Sequence, residues 1–161
     1  IDELIDKIIL ECQSIQEFEG LKIEKNISGN FNFINDKEVL YSVLSQLILN
    51  AIKYRKPNDK NSFVKIDIDI DETQAQITIE DNGVGMSERV LKNAFTLFFR
   101  GHKGIPGSGL GLYIVKKGIE RIGGELNSKS ILSEGTKFTL SIPNNKTNLF
   151  KRENIVKYTV V

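Results

Sequence analysis

The 161-residue sequence is poor in several chemistries at once. It has a single cysteine, Cys12, so no disulfide can form within the chain, a usage that fits a reducing compartment. Lys and Arg number 22 against 21 Asp and Glu, a net charge of +1. Nothing in that balance announces a nucleic-acid partner or direct contact with an anionic membrane. No apolar run approaches the roughly 18–20 residues of a membrane span, and no charged-then-apolar leader opens the chain. There is one histidine, His102. The Gly-Lys-Ser/Thr that would follow the glycines of a P-loop is missing.

What remains is ordinary globular material, 40% hydrophobic and 27% charged. The length suits one domain that can bury a core without staples. The chain starts at Ile1 rather than Met, so a fragment of a longer protein is expected. A cytoplasmic location is expected for the domain, whether its parent is membrane-anchored or soluble.

Apolar residues at helical spacing, Ile1 through Ile15, predict an amphipathic first helix over residues 2–17, with Cys12 on its buried side as an inert thiol. Alternation predicts a strand over 21–27, and 31–34 reads as a short second strand. Asn35 with Glu38 has capping-box spacing before a largely buried helix that runs to about Tyr54. Strands are predicted over 63–70 and 75–80, joined by a polar turn and paired antiparallel. Ser87 caps a short helix through about Ala94. Residues 95–108 lack a clean period and read as a long mobile loop. A helix over 109–122, stopped by Gly123-Gly124, and strands over 125–130 and 136–142 complete the pattern. The expected fold is α+β, a two-layer sandwich whose mixed, mostly antiparallel sheet is covered on one face by helices. The domain is expected over 1–143. Residues 144–161 read as a polar tail or connector in which 155–161 has strand character.

Three patches carry chemistry. Gln46, Asn50 and Lys53 lie four and three apart on one helix face and interrupt an apolar run. A buried amide left unpaired costs on the order of 1–3 kcal/mol, so Asn50 needs a partner. Either it bonds a backbone group beside a solvated Lys53, or its oxygen is a hard ligand for Mg²⁺ with the Lys53 ammonium near phosphates. In the second patch Asp81 closes a strand and leads into Asn82-Gly83-Val84-Gly85-Met86. A carboxylate there can accept from an exocyclic amino group such as that of adenine, and glycines at positive φ bring backbone close to a flat ligand. Asn82-Gly83 is equally a common tight-turn pair, although that leaves Asp81, Gly85 and Met86 unexplained. In the third patch Gly107, Gly109 and Gly111 lead into a helix, and helix N-termini bind phosphate. As a dinucleotide fingerprint the triplet is poor, because no βαβ unit surrounds it.

Taken in order, the patches resemble the ATP-binding domain of sensor histidine kinases, within the GHKL group of gyrase, heat-shock chaperone, histidine kinase and MutL. Leu47-Ile48-Leu49-Asn50-Ala51-Ile52-Lys53-Tyr54 resembles the N box, and Asp81 to Met86 the G1 box. Phe95-Thr96-Leu97-Phe98-Phe99-Arg100-Gly101 resembles the F box. Gly107-Ser108-Gly109-Leu110-Gly111-Leu112-Tyr113-Ile114-Val115 matches the G2 box closely, and Gly135 to Leu140 resembles the start of the last strand. The likeness spans roughly residues 1–143.

The resemblance implies ATP and Mg²⁺ as ligands. Asn50 would hold Mg²⁺, Lys53 would contact phosphate, and Tyr54 would pack near adenine or ribose. Asp81 would read the adenine amino group, with Gly83, Gly85 and Met86 shaping that side and Thr136 behind Asp81. Residues 95–108 would form an ATP lid anchored by Phe98 and Phe99. Arg100 and Lys103 would be either charge stabilisers or solvated cations. Gly107, Gly109, Leu110, Gly111 and Leu112 would make the phosphate end. The implied partners are a phosphoacceptor histidine on a separate dimerisation hairpin of the parent and a response regulator downstream.

Two departures matter. Gln46 stands where GHKL ATPases place a water-activating glutamate and histidine kinases an asparagine. It cannot act as a general base at neutral pH, which favours transfer over hydrolysis. His102 falls in the lid, as an exposed loop residue or a phosphate contact, and is not the phosphoacceptor by resemblance. A domain lacking its acceptor is expected to be nearly inert alone. An ATP-binding module without transfer, a GHKL serine kinase and an ATPase clamp are the alternatives.

Overall fold

The computed structural model of the chain describes residues 1–29, 31–56, 58–102, 104–105 and 107–145. Its elements, in order, are α1 (Asp2–Cys12), a 3₁₀ turn (Gln16–Phe18), β1 (Lys22–Ser28), α2 (Lys37–Lys53), β2 (Phe63–Ile70), β3 (Gln74–Asp81), α3 (Glu88–Asn93), α4 (Gly111–Arg121), β4 (Glu125–Ile131) and β5 (Gly135–Pro143). The strands form one sheet in the order β1-β2-β3-β5-β4. β1 runs parallel to β2 and every other pairing is antiparallel, so the sheet is mixed and mostly antiparallel, as expected.

Period-two alternation gives the sheet one buried face. Val64, Ile66, Ile68 and Ile70 of β2, Ala75, Ile77 and Ile79 of β3, and Phe138, Leu140 and Ile142 of β5 point into the core. Register stacks them: Ile66 opposes Ile79, Ile77 opposes Leu140, and Ile79 opposes Phe138. The same parity carries Asp81 and its cross-strand partner Thr136 onto the buried face at the end of the sheet. The site's one buried carboxylate is thus placed by strand alternation alone.

Helix α2 lies across this face with eight buried residues, including Leu44, Leu47, Ile48 and Ile52 at 0% exposure. At roughly 1.5–3 kcal/mol for each large side chain fully buried, packing of this Leu-rich face contributes most of what holds the helix. Helix α4 crosses α2 where Gly118 stands beside Val43. A Cβ at Gly118 would come to 2.5 Å of Val43 Cγ2, so the glycine sets how closely the two helices approach.

Several local expectations are corrected. α1 ends at Cys12, yet Ile15 and Phe18 continue to pack on the core. Cys12, Ile15 and Phe18 are three apart, the spacing of the 3₁₀ turn that replaces the last helical turns. Residues 31–34 are not a strand: the Ile34 N–H donates to Asn144 Oδ1 (3.0 Å), and the Ile34 carbonyl accepts from the Asn145 N–H (2.9 Å). Asn144 Nδ2 also donates to the Asn32 carbonyl. Asn144 and Asn145 therefore fasten this segment, a role the tail reading did not give them. The cap of α2 is Asp36, which accepts from the Glu38 and Val39 N–H groups. Asn35 instead donates to the Pro143 carbonyl and accepts from the Asp36 N–H. Helix α4 begins at Gly111 rather than 109, and Ser87 caps α3 as expected. The strand character of 155–161 and the connector reading of 146–161 lie outside the described residues. Among the described residues no helix is long and apolar enough to cross a membrane.

Candidate functional site

One cleft opens between the C-terminal half of α2, the end of β3, α3 and the start of α4. It is open to solvent at its mouth and lined by residues from each of these elements. The three sequence patches meet there from distant parts of the chain.

At one end stands Asp81, 9% exposed. Its Oδ1 accepts from the Gly83 N–H at 2.8 Å, and the Thr136 N–H also donates to the carboxylate. Burial pushes the carboxyl up to about 6 against the pull of those two N–H groups. Thr136 thus sits behind Asp81 through its backbone, while its hydroxyl pairs with Ser130 Oγ at 2.9 Å.

The loop after Asp81 is not a hairpin tip. Asn82 Oδ1 accepts from the Phe63 N–H and its Nδ2 donates to the Asn61 carbonyl, so this side chain secures the start of β2. Val84 is clamped on both sides: its N–H donates to the Tyr54 carbonyl (2.8 Å) and its carbonyl accepts from the Ser133 N–H (2.7 Å). Met86 N–H donates to Ser130 Oγ. Gly85 sits at φ +61 with the Ile131 carbonyl where a Cβ would be. Gly83 is not at positive φ; it is glycine because the Tyr54 carbonyl occupies the Cβ position. Both glycines make room for protein backbone, and Gly83 does not line the cleft.

At the other end Gly111, the first residue of α4, lies against α2. A Cβ there would stand 2.8 Å from Gln46 Oε1 and 3.8 Å from the Asn50 amide. Asn50 and Lys53 are half-buried and line the cleft. Asn50's side chain makes no hydrogen bond and Lys53 no ion pair with the described residues, so the reading that tied Asn50 to a backbone group does not apply. Gly107 has open space where a Cβ would point, and Gly109, at φ +72, abuts the backbone of Phe98. Gly107, Gly109 and Leu112 line the cleft and Leu110 does not; Leu110 is the N-cap of α4.

The segment between α3 and α4 departs most from expectation. Phe98 is 67% exposed, so it does not anchor the segment. Phe95 does: it packs on the core with its ring edge-on to Phe138, centroids 6.4 Å apart. Phe99 is half-buried and lines the cleft. Arg100 also lines it and donates to the Ile105 carbonyl at 3.0 Å. His102 is half-buried against Gly85 and Tyr54 rather than exposed or set at the glycine-rich end. Lys103 lies outside the described residues. Val90 on α3 and Ala94 at its C-cap, one turn apart, also line the cleft; their spacing is the signal for them in the sequence. Lys116 and Lys117 are exposed, Lys117 paired with Glu120 at 2.7 Å.

Residues 35–146, more than half of the chain, match the family described as histidine kinase-, DNA gyrase B-, and HSP90-like ATPase. The chain belongs to that family. Sensor protein SrrB of Staphylococcus aureus strain MRSA252 is 32% identical over 147 residues, covering 89% of this chain and 25% of SrrB. The chain thus spans about a quarter of the length of the curated relatives it matches. Mycobacterial sensor histidine kinase MprB superposes with a TM-score of 0.73 at 26% identity, over 88% of this chain and 93% of that one. Full-length ShkA, solved in complex with AMPPNP, shares the fold with a TM-score of 0.73 at 20% identity, over 88% of this chain and 29% of its own. This is an ATP-binding domain of the histidine-kinase type.

The donor set fits the ligands of that family. Asn50 offers an unpartnered amide oxygen beside Gly111, and Lys53, one turn on along α2, lines the same cleft without an ion pair among the described residues. Among the described residues no three His, Cys, Asp or Glu side chains gather to hold a metal without further ligands. Mg²⁺ suits a site of that kind, because it keeps waters and draws ligands from phosphates.

Proposed function

We propose that the domain binds ATP with Mg²⁺ and presents the γ-phosphate to a histidine on a separate phosphoacceptor hairpin of its parent, from which a response regulator receives it. The observation that carries this reading is the meeting of α2 with the start of α4: Gly111 beside Gln46 and an Asn50 amide free of protein partners. Asn50 would hold Mg²⁺, whose part is to neutralise charge on phosphate oxygens. Lys53 would add a second positive charge, and the backbone at Gly107–Gly111 would face the phosphates. Asp81 would accept from the adenine amino group, with Met86 and Tyr54 beside the base.

Gln46 supports transfer over hydrolysis. A neutral amide cannot take a proton from water, so no residue at that position activates a competing nucleophile. In the transfer the bond from the γ-phosphorus to its bridging oxygen breaks, a bond to an imidazole nitrogen forms, and ADP leaves. The one histidine of the chain, His102, faces the Asp81 end, so the acceptor comes from elsewhere. We assign this unit to residues 1–143, fastened by Asn144 and Asn145.

The test mixes the domain with a helical hairpin bearing a histidine followed by Asp or Glu, and γ-labelled ATP. Acid-labile, base-stable label on the hairpin is expected. Acid-stable label on a serine, or release of free phosphate alone, would overturn the reading in favour of a serine kinase or a hydrolase.

A further inference from the structure

His102 has no part in the reading above, yet it is half-buried inside the cleft. Its Nε2 lies 3.3 Å from the Gly85 carbonyl oxygen. A carbonyl only accepts, so Nε2 carries the hydrogen and donates. Its ring stands 5.7 Å, centroid to centroid, from that of Tyr54 at 53°, within the range where aromatic pairs attract. Three separated pieces of chain therefore converge on this imidazole: the C-cap of α2, the loop after Asp81, and the segment between α3 and α4.

The partners are fixed and His102 is the piece that comes to them. Gly85 is held at φ +61 against Ile131, Val84 is clamped by Tyr54 and Ser133, and Tyr54 ends a helix packed in the core. The segment carrying His102 is anchored on the core at Phe95, and close to His102 its described contacts are Gly101 against Val90 and Arg100 to the Ile105 carbonyl.

We propose that His102 is a positioning residue for the nucleotide base. By donating to Gly85 it fastens its segment over the Asp81 end, and with Tyr54 it forms a two-ring corner that favours a purine. The proposal rests on the reading of the Asp81 end as the base end. Its hydrogen-bond partner, Gly85, lies on the loop after Asp81 and not at the glycine-rich helix start, so its effect is expected on the base and not on the phosphates.

Calorimetry with ATP, ADP and CTP on this chain tests it, using His102→Ala, His102→Gln and Asp81→Asn. His102→Ala should weaken ATP and ADP equally, by about tenfold for the loss of one hydrogen bond and one ring contact. CTP carries an amino group for Asp81 but a smaller ring, so it should lose less and the ATP-to-CTP preference should fall. His102→Gln restores an N–H donor without the ring. It should recover part of the ATP affinity while the preference stays low. If His102→Ala melts early, the preference in His102→Gln decides, and a wild-type value there overturns the proposal. Unchanged affinities in His102→Ala, or a loss for ATP that spares ADP, overturn it as well. Wild-type protein that fails to bind ATP, or Asp81→Asn that binds it normally, overturns the site assignment. Loss in Asp81→Asn with none in His102→Ala removes the His102 role alone.

Discussion

Replacing Asp81 by asparagine should make the domain more stable at neutral pH and poorer at binding nucleotide. Burial lifts the Asp81 carboxyl from 3.8 to about 6 in the folded protein. The folded state therefore keeps the proton up to about pH 6, whereas the unfolded chain releases it near 4. Between those values the folded state binds more protons, so stability falls as pH rises. Asp81's contribution is fully favourable below about pH 4 and is lost once pH passes about 6. A displacement of about two pKa units corresponds to roughly 3 kcal/mol of destabilisation at pH 7. Asparagine never ionises and escapes it.

The replacement has its own cost. One carboxylate oxygen becomes an NH₂ facing an N–H of Gly83 or Thr136, which forfeits one hydrogen bond worth about 1 kcal/mol. Asp81→Asn should thus be more stable than wild type by about 2 kcal/mol at pH 7 and slightly less stable at pH 4. Urea unfolding of both proteins from pH 4 to 8 measures this, because every other carboxylate is shared and cancels in the difference. The same NH₂ would oppose the amino group of adenine, so ATP affinity should fall about 10- to 100-fold. A stability difference that is flat across pH, or a variant less stable than wild type at pH 7, refutes the burial argument.

Gly85→Ala meets the Ile131 carbonyl at a φ that L residues avoid. It should destabilise by at least about 2 kcal/mol, and a urea midpoint equal to wild type would show that the clamp around Val84 yields. Asn50→Ala removes a half-buried amide without a partner among the described residues, so stability should change by less than about 1 kcal/mol. Its ATP affinity should fall with Mg²⁺ present and match wild type in EDTA; a loss that persists in EDTA would place Asn50 on the nucleotide rather than the metal.

What was legible in the sequence depended on the range of the forces involved. The five main strands and α2 announce themselves because burial of a period-two or helical face is written locally, as in Val64-Ile66-Ile68-Ile70. Asp81 was legible for the same reason, as the next residue in the buried parity of Ile77 and Ile79. The short strand at 31–34 failed because its partners are Asn144 and Asn145, more than a hundred residues away, which no local pattern encodes. The capping site slipped by one residue because Asn35 and Asp36 are both good caps, and only the pull of the Pro143 carbonyl assigns Asn35 elsewhere. The phenylalanines between α3 and α4 were ambiguous for want of a period: nothing in the order of Phe95, Phe98 and Phe99 says which ring turns inward.

The two ends of the cleft are built on opposite principles, and this explains how the glycines divide. Around Asp81 the protein satisfies itself: Gly83 and Gly85 admit the carbonyls of Tyr54 and Ile131, Val84 is bonded on both sides, and the carboxylate is held by two N–H groups. Such an end pays little reorganisation on binding a flat base and selects by shape. Around Asn50 the polar groups are left open: the Asn50 amide and Lys53 lack partners among the described residues, and Gly107 borders open space. Gly109 there is pressed against the Phe98 backbone, whereas Gly111, nearest Asn50, meets only the Gln46 and Asn50 side chains. Side-chain ends can shift where carbonyls cannot. A rigid end that fixes one part of a ligand and an adaptable end that meets its charge is the division of labour expected of a domain that must hold a nucleotide still while its terminal phosphate is handed to another surface.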